Sequence, residues 1–366
     1  MIARLRAWLV SAEFADAVVP TLAIRAAVLV AAPLAVIFFG DDAARTRVPW
    51  GIWNAWDAPH YFEVAQAGYV DPARAVLFPL LPALLRVGSL IAPLLAAGLA
   101  ISVVASVAAA VGVYRLARLD GGGRRIGRGA VLAVNVFPTA FAFVPPYTEP
   151  LFLAFAAWTF VRARRGDWLG AGVLGLLAAL TRLQGAFLLP ALLFELRGRP
   201  RSWRMLGLGL IAIGPLVYLG INWWAYGDPL FFIEAQREVF HVETVAPWTA
   251  LGSLLGAVAR PLPDPYWVTV FLAPLLALVV LGATVAWTVV SRRSRASYAV
   301  YSAISLLSFA SISWPISVPR YILGVVPMFL MLGGLARSRI GSAALVASAL
   351  VLMLLTAQFA LGRWAF

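Results

Sequence analysis

The chain has 366 residues, of which 62% are hydrophobic and 12% charged, whereas soluble domains are about 45–50% apolar and about 25% charged. This composition excludes a water-soluble globule and a disordered chain. The chain has no cysteine, which excludes a disulfide scaffold and a Cys-ligated metal site. Two histidines are too few for a multi-histidine zinc site. We therefore expect an all-α polytopic membrane protein.

Apolar runs along the chain predict about eleven transmembrane helices, because a span needs about 20 apolar residues to cross a hydrocarbon core of about 30 Å. Residues 1–20 precede the first predicted span. We expect them to form an amphipathic cytoplasmic segment and not a cleaved signal peptide. The predicted spans are 22–39, 94–116, 129–146, 148–163, 167–181, 185–197, 205–224, 267–290, 298–314, 320–336 and 341–361.

The net charge of +13 comes from arginine, since the chain contains no lysine. With a cytoplasmic N-terminus, 19 of the 29 arginines fall in inner segments and nine in outer ones, with Arg25 inside the first span. Eleven of the 16 acidic residues fall on the outer side. The charge therefore follows the positive-inside rule, and no nucleic-acid partner is predicted. The use of arginine in place of lysine indicates a GC-rich bacterial genome and hence the plasma membrane.

Two long segments, 40–93 and 225–266, lie on the predicted outer side of a single domain, 1–366. Both are rich in Trp, Pro, His and carboxylates, whereas the inner turns are short and rich in Gly and Arg. Irregular polar loops are where a membrane protein can house chemistry. We expect the first loop to contain short interfacial helices and an active site on the extracytoplasmic side.

The first outer loop carries Asp57, His60 and Tyr61, which lie at i, i+3 and i+4 and so share one face of a helix. Desolvation beside aromatic side chains at the bilayer surface raises the proton affinity of a carboxylate, which suits a general base. The alternative is that Asp57 caps a helix with Pro59 in its first turn. The two roles are not exclusive.

The adjacent acids Asp41 and Asp42 follow the first predicted span. In one interpretation they bind a divalent cation, and in the other they form a solvated span terminus. Metal dependence therefore stays open, and no cofactor is firmly implied.

Three further charged residues stand at the outer ends of predicted spans. Glu149 follows a proline-rich turn that contains Tyr147, Arg182 lies between two short spans, and Arg320 begins a span. An arginine at membrane depth costs about 3 kcal/mol unless it is paired or reaches the interface. The phosphate of a lipid carrier is one such partner, held by the guanidinium fork. The alternative is a side chain that simply reaches the interface.

Together these motifs resemble the PIG-V-type mannosyltransferases, the second mannosyltransferases of glycosylphosphatidylinositol assembly, over about residues 53–323. The family turn more often reads Arg-Ser-Asn-Gly, whereas Leu183 and Gln184 intervene here. The motifs that follow the family order are Trp56-Asp57-x-x-His60-Tyr61 with Ala65 and Gly68-Tyr69, Phe78-Pro79-Leu-Leu-Pro82, Asn135-Val-Phe-Pro138, Tyr147-Thr148-Glu149, the turn Thr181-Arg182 to Gly185, and Arg320-Tyr321.

The resemblance implies a bacterial homologue with a GT-C-type fold. It implies an inverting glycosyltransferase that transfers mannose from polyprenyl-phosphate mannose to a lipid-linked or glycan acceptor. It further implies Asp57 as the base. The residues that it implies for the donor phosphate are Arg320, Arg182 and His60, and those for the sugar or acceptor are Trp56, Tyr61, Tyr147 and Glu149.

Two other classes remain as alternatives. A lipid-linked glycan transporter or flippase predicts ionisable residues at the bilayer midplane and broken helices in two matched halves. The sequence shows no internal repeat, and its ionisable residues crowd the span ends. A non-catalytic membrane scaffold subunit predicts that Asp57→Asn is tolerated.

Overall fold

The computed structural model describes residues 11–197, 202–260, 266–291 and 294–365, and these residues form helices joined by turns and short irregular segments. Among them, a single isolated bridge pairs Thr244 with Ile312. The prediction of an all-α polytopic fold is confirmed. We number the main helices α1 (Phe14–Phe39), α2 (Asp57–Ala67), α3 (Leu80–Gly88), α4 (Leu94–Leu119), α5 (Gly123–Val136), α6 (Glu149–Arg164), α7 (Trp168–Ala179), α8 (Leu183–Glu195), α9 (Trp203–Tyr226), α10 (Phe231–Phe240), α11 (Pro247–Val258), α12 (Val268–Val290), α13 (Ala296–Ala310), α14 (Val318–Gly324), α15 (Val326–Leu335) and α16 (Arg339–Ala360).

Five helices in the described part of the chain are long and apolar enough to cross a membrane, namely α1, α4, α9, α12 and α16. The pair α14 and α15, which is bent by 88°, makes a sixth if it counts as one span. Each of the eleven predicted spans overlaps a helix or this helix pair. The count of eleven is nevertheless not confirmed, because the other helices at predicted spans have 16 residues or fewer.

The predicted span 129–146 is wrong as one continuous helix. Helix α5 ends at Val136, and a separate 3₁₀ turn follows at Ala140–Phe143. The cause is Pro138, which lacks an N–H donor and pushes the preceding residue out of the helical region. Phe137 accordingly has an extended ψ of 141°.

Helix α6 lies at the centre of the bundle, since twelve of its 16 residues are buried. A helix that is buried on all sides must be apolar all round, and α6 is apolar apart from its two ends and Thr159, whose hydroxyl donates to the carbonyl of Phe155. It packs against α4 and α7. Its first residue, Glu149, is therefore carried into the interior of the protein.

The segment 40–93 contains short helices, as predicted, and is fastened to α9 by two tyrosines. The hydroxyl of Tyr218 donates to the carbonyl of Ala75 at 2.7 Å, and its ring stacks on Phe78 at 4.0 Å. The hydroxyl of Tyr226 donates to the carbonyl of Asp71 at 3.0 Å. The helical elements of this segment are Asp42–Arg45, Gly51–Trp53, α2, Pro72–Arg74 and α3.

Ion pairs divide the charged residues into two spatial groups. Each of thirteen ion pairs between described residues joins two residues for which the sequence predicts the same side of the membrane. Within the described part of the chain, therefore, no ion pair joins the two predicted sides. Which of them faces the cytoplasm stays a prediction. Seven charged residues used in the topology argument lie outside the described residues, namely Arg4, Arg6, Arg199, Arg201, Asp264, Arg292 and Arg293.

Candidate active site

Four charged side chains from four parts of the fold meet at the predicted outer end of the bundle, and we call them the Asp57 cluster. Asp57 begins α2, Glu149 begins α6, Arg182 lies in the turn between α7 and α8, and Arg320 lies in α14. Two acids and two arginines give the cluster a formal charge of zero. Separate sequence patterns indicate each of the four residues, and the structure brings them together.

The ion pairs run in a chain from Asp57 to Arg182. Nη2 of Arg320 lies 2.7 Å from Oδ2 of Asp57, and Nε of Arg320 lies 2.9 Å from Oε1 of Glu149. The same Oε1 accepts from Nη1 of Arg182 at 2.6 Å, and this Nη1 also donates to Oγ1 of Thr148 at 3.1 Å. A single carboxylate oxygen of Glu149 thus bridges two guanidinium groups.

The four side chains differ in exposure to solvent. The exposed fractions are 3% for Glu149, 6% for Arg320 and 17% for Arg182, whereas Asp57 is 35% exposed. Burying an ion costs several kcal/mol, which only close pairing and hydrogen bonding repay. Glu149 therefore holds the arginines in place. Asp57 is the most exposed member of the cluster.

Aromatic rings surround the guanidinium groups. The guanidinium carbon of Arg320 lies 5.1 Å from the ring centre of Tyr147, and that of Arg182 lies 4.8 Å from the ring centre of Tyr321. A cation over an aromatic face is attracted by the negative face of the ring. These contacts help to keep two arginines in the interior without adding charge.

Two tyrosines beside Asp57 keep their protons. Burial, and next the negative charge of Asp57, raises the pKa of both Tyr61 and Tyr147 above its ordinary value. The hydroxyl of Tyr147 donates to the carbonyl of Ala55 at 3.1 Å. Tyr61 and Tyr147 are buried at 7% and 1% exposure. Their contacts with a sugar stay a prediction.

The backbone places Asp57 as the first residue of α2, with Trp56 preceding it at a φ of 57°. A positive φ is uncommon for a bulky residue and costs about 1–3 kcal/mol, so the surrounding structure must hold it. Asp57 is thus not the N-cap residue, and its carboxylate contacts Arg320. The capping interpretation is therefore wrong in that form, although an acid in the first helical turn is still favoured by the helix dipole.

Two glycines allow the arginine-bearing turns to pack closely. A Cβ atom at Gly185 would lie 2.3 Å from the backbone nitrogen of Ala179, and one at Gly324 would lie 2.5 Å from the ring of Phe152. Neither approach is possible for a residue with a side chain. The turn that carries Arg182 and the bend that follows α14 both depend on the absence of a side chain at these two glycines.

The remaining predicted site residues lie on or next to α2. His60 is partly buried, and burial together with Arg74 lowers its pKa, although Asp57 acts in the opposite direction. The neutral imidazole is therefore favoured. The ring of Trp56 meets the ring of Trp364 edge-on, with centroids 5.4 Å apart. The assigned roles of His60 in phosphate binding and Trp56 in sugar binding stay predictions.

The acids after the first span have local partners. Asp41 caps the turn Asp42–Arg45 by accepting from the backbone N–H of Ala44 at 2.7 Å, and Asp42 pairs with Arg45 at 3.3 Å. Among the described residues, no three His, Asp or Glu side chains converge in a way that could hold a metal ion. Both acids thus contact residues of their own turn, which agrees with the interpretation of a solvated span terminus.

Three residues of this region have no predicted role from the sequence, although two of them lie within the motifs named above. Thr148 and Tyr321 contact the arginines of the cluster, and each adjoins a residue that was selected, so its position was the available signal. Trp364 contacts Trp56 from the far end of the chain. No local pattern in the sequence indicates that contact.

The chain was compared with protein families, with proteins of curated function and with solved structures. No family model matches the chain, and no protein of curated function matches it. The fold is similar to the crystal structure of the Archaeoglobus fulgidus oligosaccharyltransferase, which is tethered to an acceptor peptide containing the NVT sequon. The TM-score is 0.45 at 14% identity, over 93% of this chain and 55% of that one, so this chain spans about half of its length. A likeness of this size carries no argument about activity.

Proposed function

We propose that the chain is an inverting membrane glycosyltransferase of the GT-C type, with Asp57 as its general base. It transfers mannose from a polyprenyl-phosphate-mannose donor to a lipid-linked or glycan acceptor on the extracytoplasmic side. The sugar and the donor class come from the resemblance to PIG-V-type enzymes. The resemblance also implies Asp57 as the base, and the geometry of the cluster supports this assignment.

One observation carries the proposal. Asp57 is partly open to solvent, whereas its partner Arg320 is buried 2.7 Å away among aromatic side chains and Glu149. A partly exposed carboxylate beside a fixed, buried cation can take a proton from one substrate while the cation faces negative charge on another. A purely structural ion pair does not require this difference in exposure.

The reaction balances as a single displacement. A hydroxyl oxygen of the acceptor bonds to C1 of mannose, and the bond from C1 to the phosphate oxygen breaks with inversion. Asp57 takes the hydroxyl proton, and the electron pair of the broken bond leaves with polyprenyl phosphate. A positioned general base contributes about 10²–10⁴-fold to such a rate.

Arg320 has two roles in this scheme. Its contact with Asp57 orients the carboxylate, and its charge stabilises the phosphate as negative charge develops on it. Only interactions that are stronger in the transition state accelerate the chemical step. Glu149, which is buried and shared with Arg182, holds the guanidinium of Arg320 in position for both.

The side of the membrane is tested by cysteine labelling, since the chain has no native cysteine. Glu63→Cys in α2 and Asp167→Cys just before α7 stand on opposite predicted sides. We expect an impermeant maleimide to label Glu63→Cys in intact cells and to label Asp167→Cys only after permeabilisation. The reverse pattern would exclude an extracytoplasmic active site.

The activity is tested with the purified full chain in nanodiscs, supplied with polyprenyl-phosphate mannose and a total lipid extract as the source of acceptor. We expect release of polyprenyl phosphate and appearance of a mannosylated product. Donors that carry other sugars, assayed in parallel, identify the sugar. In Asp57→Asn we expect the rate to fall by about 10²–10⁴-fold.

Glu63→Gln is the matched control, because Glu63 lies on the same helix and pairs with Arg74 at 2.8 Å. We expect it to retain the wild-type rate. Full turnover in Asp57→Asn would favour the scaffold alternative for this residue. Movement of an intact lipid-linked glycan across the bilayer, without cleavage, would favour the flippase.

A further inference from the structure

A cavity of about 340 Å³ lies between the start of α12 and the end of α16. This volume falls within the usual range for small-molecule sites, about 300–1,000 Å³. None of the described residues that line it has a role in the proposed chemistry. The lining side chains are Tyr266, Thr269, Gln358, Arg363 and Trp364.

The lining combines the groups that recognise a phosphorylated sugar. Tyr266 and Trp364 provide flat apolar faces of the kind on which a sugar ring can stack. Arg363 is exposed, and its guanidinium can bind a phosphate through paired hydrogen bonds. Thr269 and Gln358 provide a hydroxyl and an amide for sugar hydroxyls.

Gln358 supplies an independent indication of a ligand. Its Oε1 atom is buried, and no donor reaches this atom within the part of the chain that the structure describes. A buried acceptor without a hydrogen bond costs about 1–3 kcal/mol. Because this atom has almost no surface open to the cavity, a sugar hydroxyl would satisfy it once the amide turns toward the cavity.

The cavity is connected to the candidate base through two tryptophan rings. Trp364, in the cavity wall, meets Trp56 edge-on with centroids 5.4 Å apart, and Trp56 directly precedes Asp57. A ligand that moves Trp364 therefore acts on the residue whose strained backbone sets the start of α2.

The cavity also borders one end of each of two helices that could cross a membrane. Helices α12 and α16 are both long enough to cross a membrane, and the ends that border the cavity are those predicted to be on the outer side. A lipid whose chain runs along these helices places its phosphate and its first sugar at this level.

From these observations we propose that the cavity is a second substrate site, which binds the sugar-phosphate head group of a lipid. This inference rests on the proposed glycosyl transfer, which uses two lipid-linked substrates. The same chemistry is present in the donor, polyprenyl-phosphate mannose, and in an acceptor that is linked to its lipid through phosphate.

The first test is equilibrium binding of radiolabelled mannose 1-phosphate to the full chain in nanodiscs, which needs no turnover. We expect binding of mannose 1-phosphate to be tighter than binding of methyl mannoside or of inorganic phosphate. In Arg363→Gln we expect the affinity for mannose 1-phosphate to fall about tenfold or more, since hydrogen bonds to charged groups are lost. In Gln358→Leu we expect a smaller loss that extends to methyl mannoside.

The matched control is Arg237→Gln, because Arg237 is another exposed arginine of the predicted outer side, 71% exposed. It should bind the probe as the wild type does. Equal affinity in Arg363→Gln and the wild type, or equal losses in Arg363→Gln and Arg237→Gln, would overturn the proposal. An interfacial anchor, which is another role for such aromatic and arginine residues, predicts that result.

A kinetic arm distinguishes the two sources of the head group. With water as acceptor, a raised Michaelis constant for polyprenyl-phosphate mannose in Arg363→Gln assigns the cavity to the donor. A raised Michaelis constant for the lipid extract alone assigns it to the acceptor. No change in either constant would overturn its assignment as a substrate site.

The outcomes of the binding assay and of the transfer assay are independent of each other. Binding that depends on Arg363, in a protein that transfers no sugar, would leave the cavity in place and exclude the proposed function. Transfer that depends on Asp57, with binding indifferent to Arg363, would retain the function and exclude the cavity.

Discussion

Two clusters at opposite predicted ends of the bundle contain the same charges. The Asp57 cluster has two acids and two arginines, and so does a second group, the Asp120 cluster, which consists of Asp120, Arg164, Glu195 and Arg295. In the second cluster Arg164 lies 2.9 Å from Asp120 and 2.7 Å from Glu195, and Arg295 lies 3.7 Å from Asp120.

The clusters differ in which member is exposed. In the Asp120 cluster both acids are buried, at 8% and 5% exposure, and the exposed member is Arg295 at 48%. Both acids also accept a hydroxyl hydrogen bond, Asp120 from Tyr298 and Glu195 from Ser297. In the Asp57 cluster the exposed member is an acid, Asp57.

Under the proposed function, this difference in exposure distinguishes a structural ion network from a catalytic one. The acids of the Asp120 cluster are buried and hydrogen-bonded, and they fasten helices together, although Glu195 and Arg295 also line a cavity of about 190 Å³. An exposed acid whose partner is buried keeps its orientation and remains accessible. The charge composition of the two clusters alone does not distinguish them.

The largest effect on stability is expected for Arg164→Met. Arg164 is 3% exposed and pairs with both acids of the Asp120 cluster, so its loss leaves two buried carboxylates without their main partner. We expect the free energy of unfolding to fall by about 3–5 kcal/mol. Denaturant unfolding in detergent measures this.

Arg162→Met is the control, because Arg162 lies on the same helix and forms an exposed pair with Asp167. An exposed pair contributes about 0–1 kcal/mol. Equal losses of stability in Arg164→Met and Arg162→Met would show that the Asp120 cluster is not a structural network.

A smaller effect is expected from removing the arginines of the Asp57 cluster one at a time. Arg182→Met leaves Glu149 paired with Arg320, so we expect a loss of about 1–3 kcal/mol. Arg320→Met affects two carboxylates and should cost more. Both arginines share one oxygen of Glu149, and the double variant should therefore deviate from additivity by about 0.5–3 kcal/mol. Additive losses would contradict the shared contact.

The smallest effect is a pH dependence from His60. Its folded-state pKa is lowered from the ordinary value of 6.5, chiefly by burial, so the unfolded chain binds the proton more readily. Stability from this source is complete above about pH 6.5 and is lost as the pH falls below that value. His60→Asn should remove this dependence of the unfolding free energy on pH. His241→Asn should retain it, because His241 lies at an exposed turn. An unchanged slope in His60→Asn would exclude His60 as its cause.

Much of the fold was predictable from hydrophobic runs alone. The predicted spans 94–116 and 267–290 correspond to α4 (Leu94–Leu119) and α12 (Val268–Val290), because uninterrupted apolar length determines both. The breaks within 129–146 and 320–336 were not predicted. Hydrophobicity continues across both breaks, whereas the backbone changes direction at Phe137 and at Val325.

The site was predictable as separate residues but not as an arrangement. Asp57, Glu149, Arg182 and Arg320 were each selected from local patterns, yet their mutual pairing depends on how distant helices pack. The contacts of Arg25 also depend on how distant helices pack. It is fully buried in α1 and donates to the carbonyl of Ala140 at 2.7 Å and to Asn135 at 2.8 Å. No local signal predicts either contact.

The central claim is that Asp57 performs chemistry, whereas Asp120 supports the fold. The most direct test measures turnover per folded molecule in Asp57→Asn and in Asp120→Asn, with the unfolding free energy of each. The account predicts that Asp57→Asn folds with near wild-type stability and loses about 10²–10⁴-fold in turnover, whereas Asp120→Asn loses about 3 kcal/mol of stability and retains its turnover per folded molecule. Equal turnover in the two variants would contradict it.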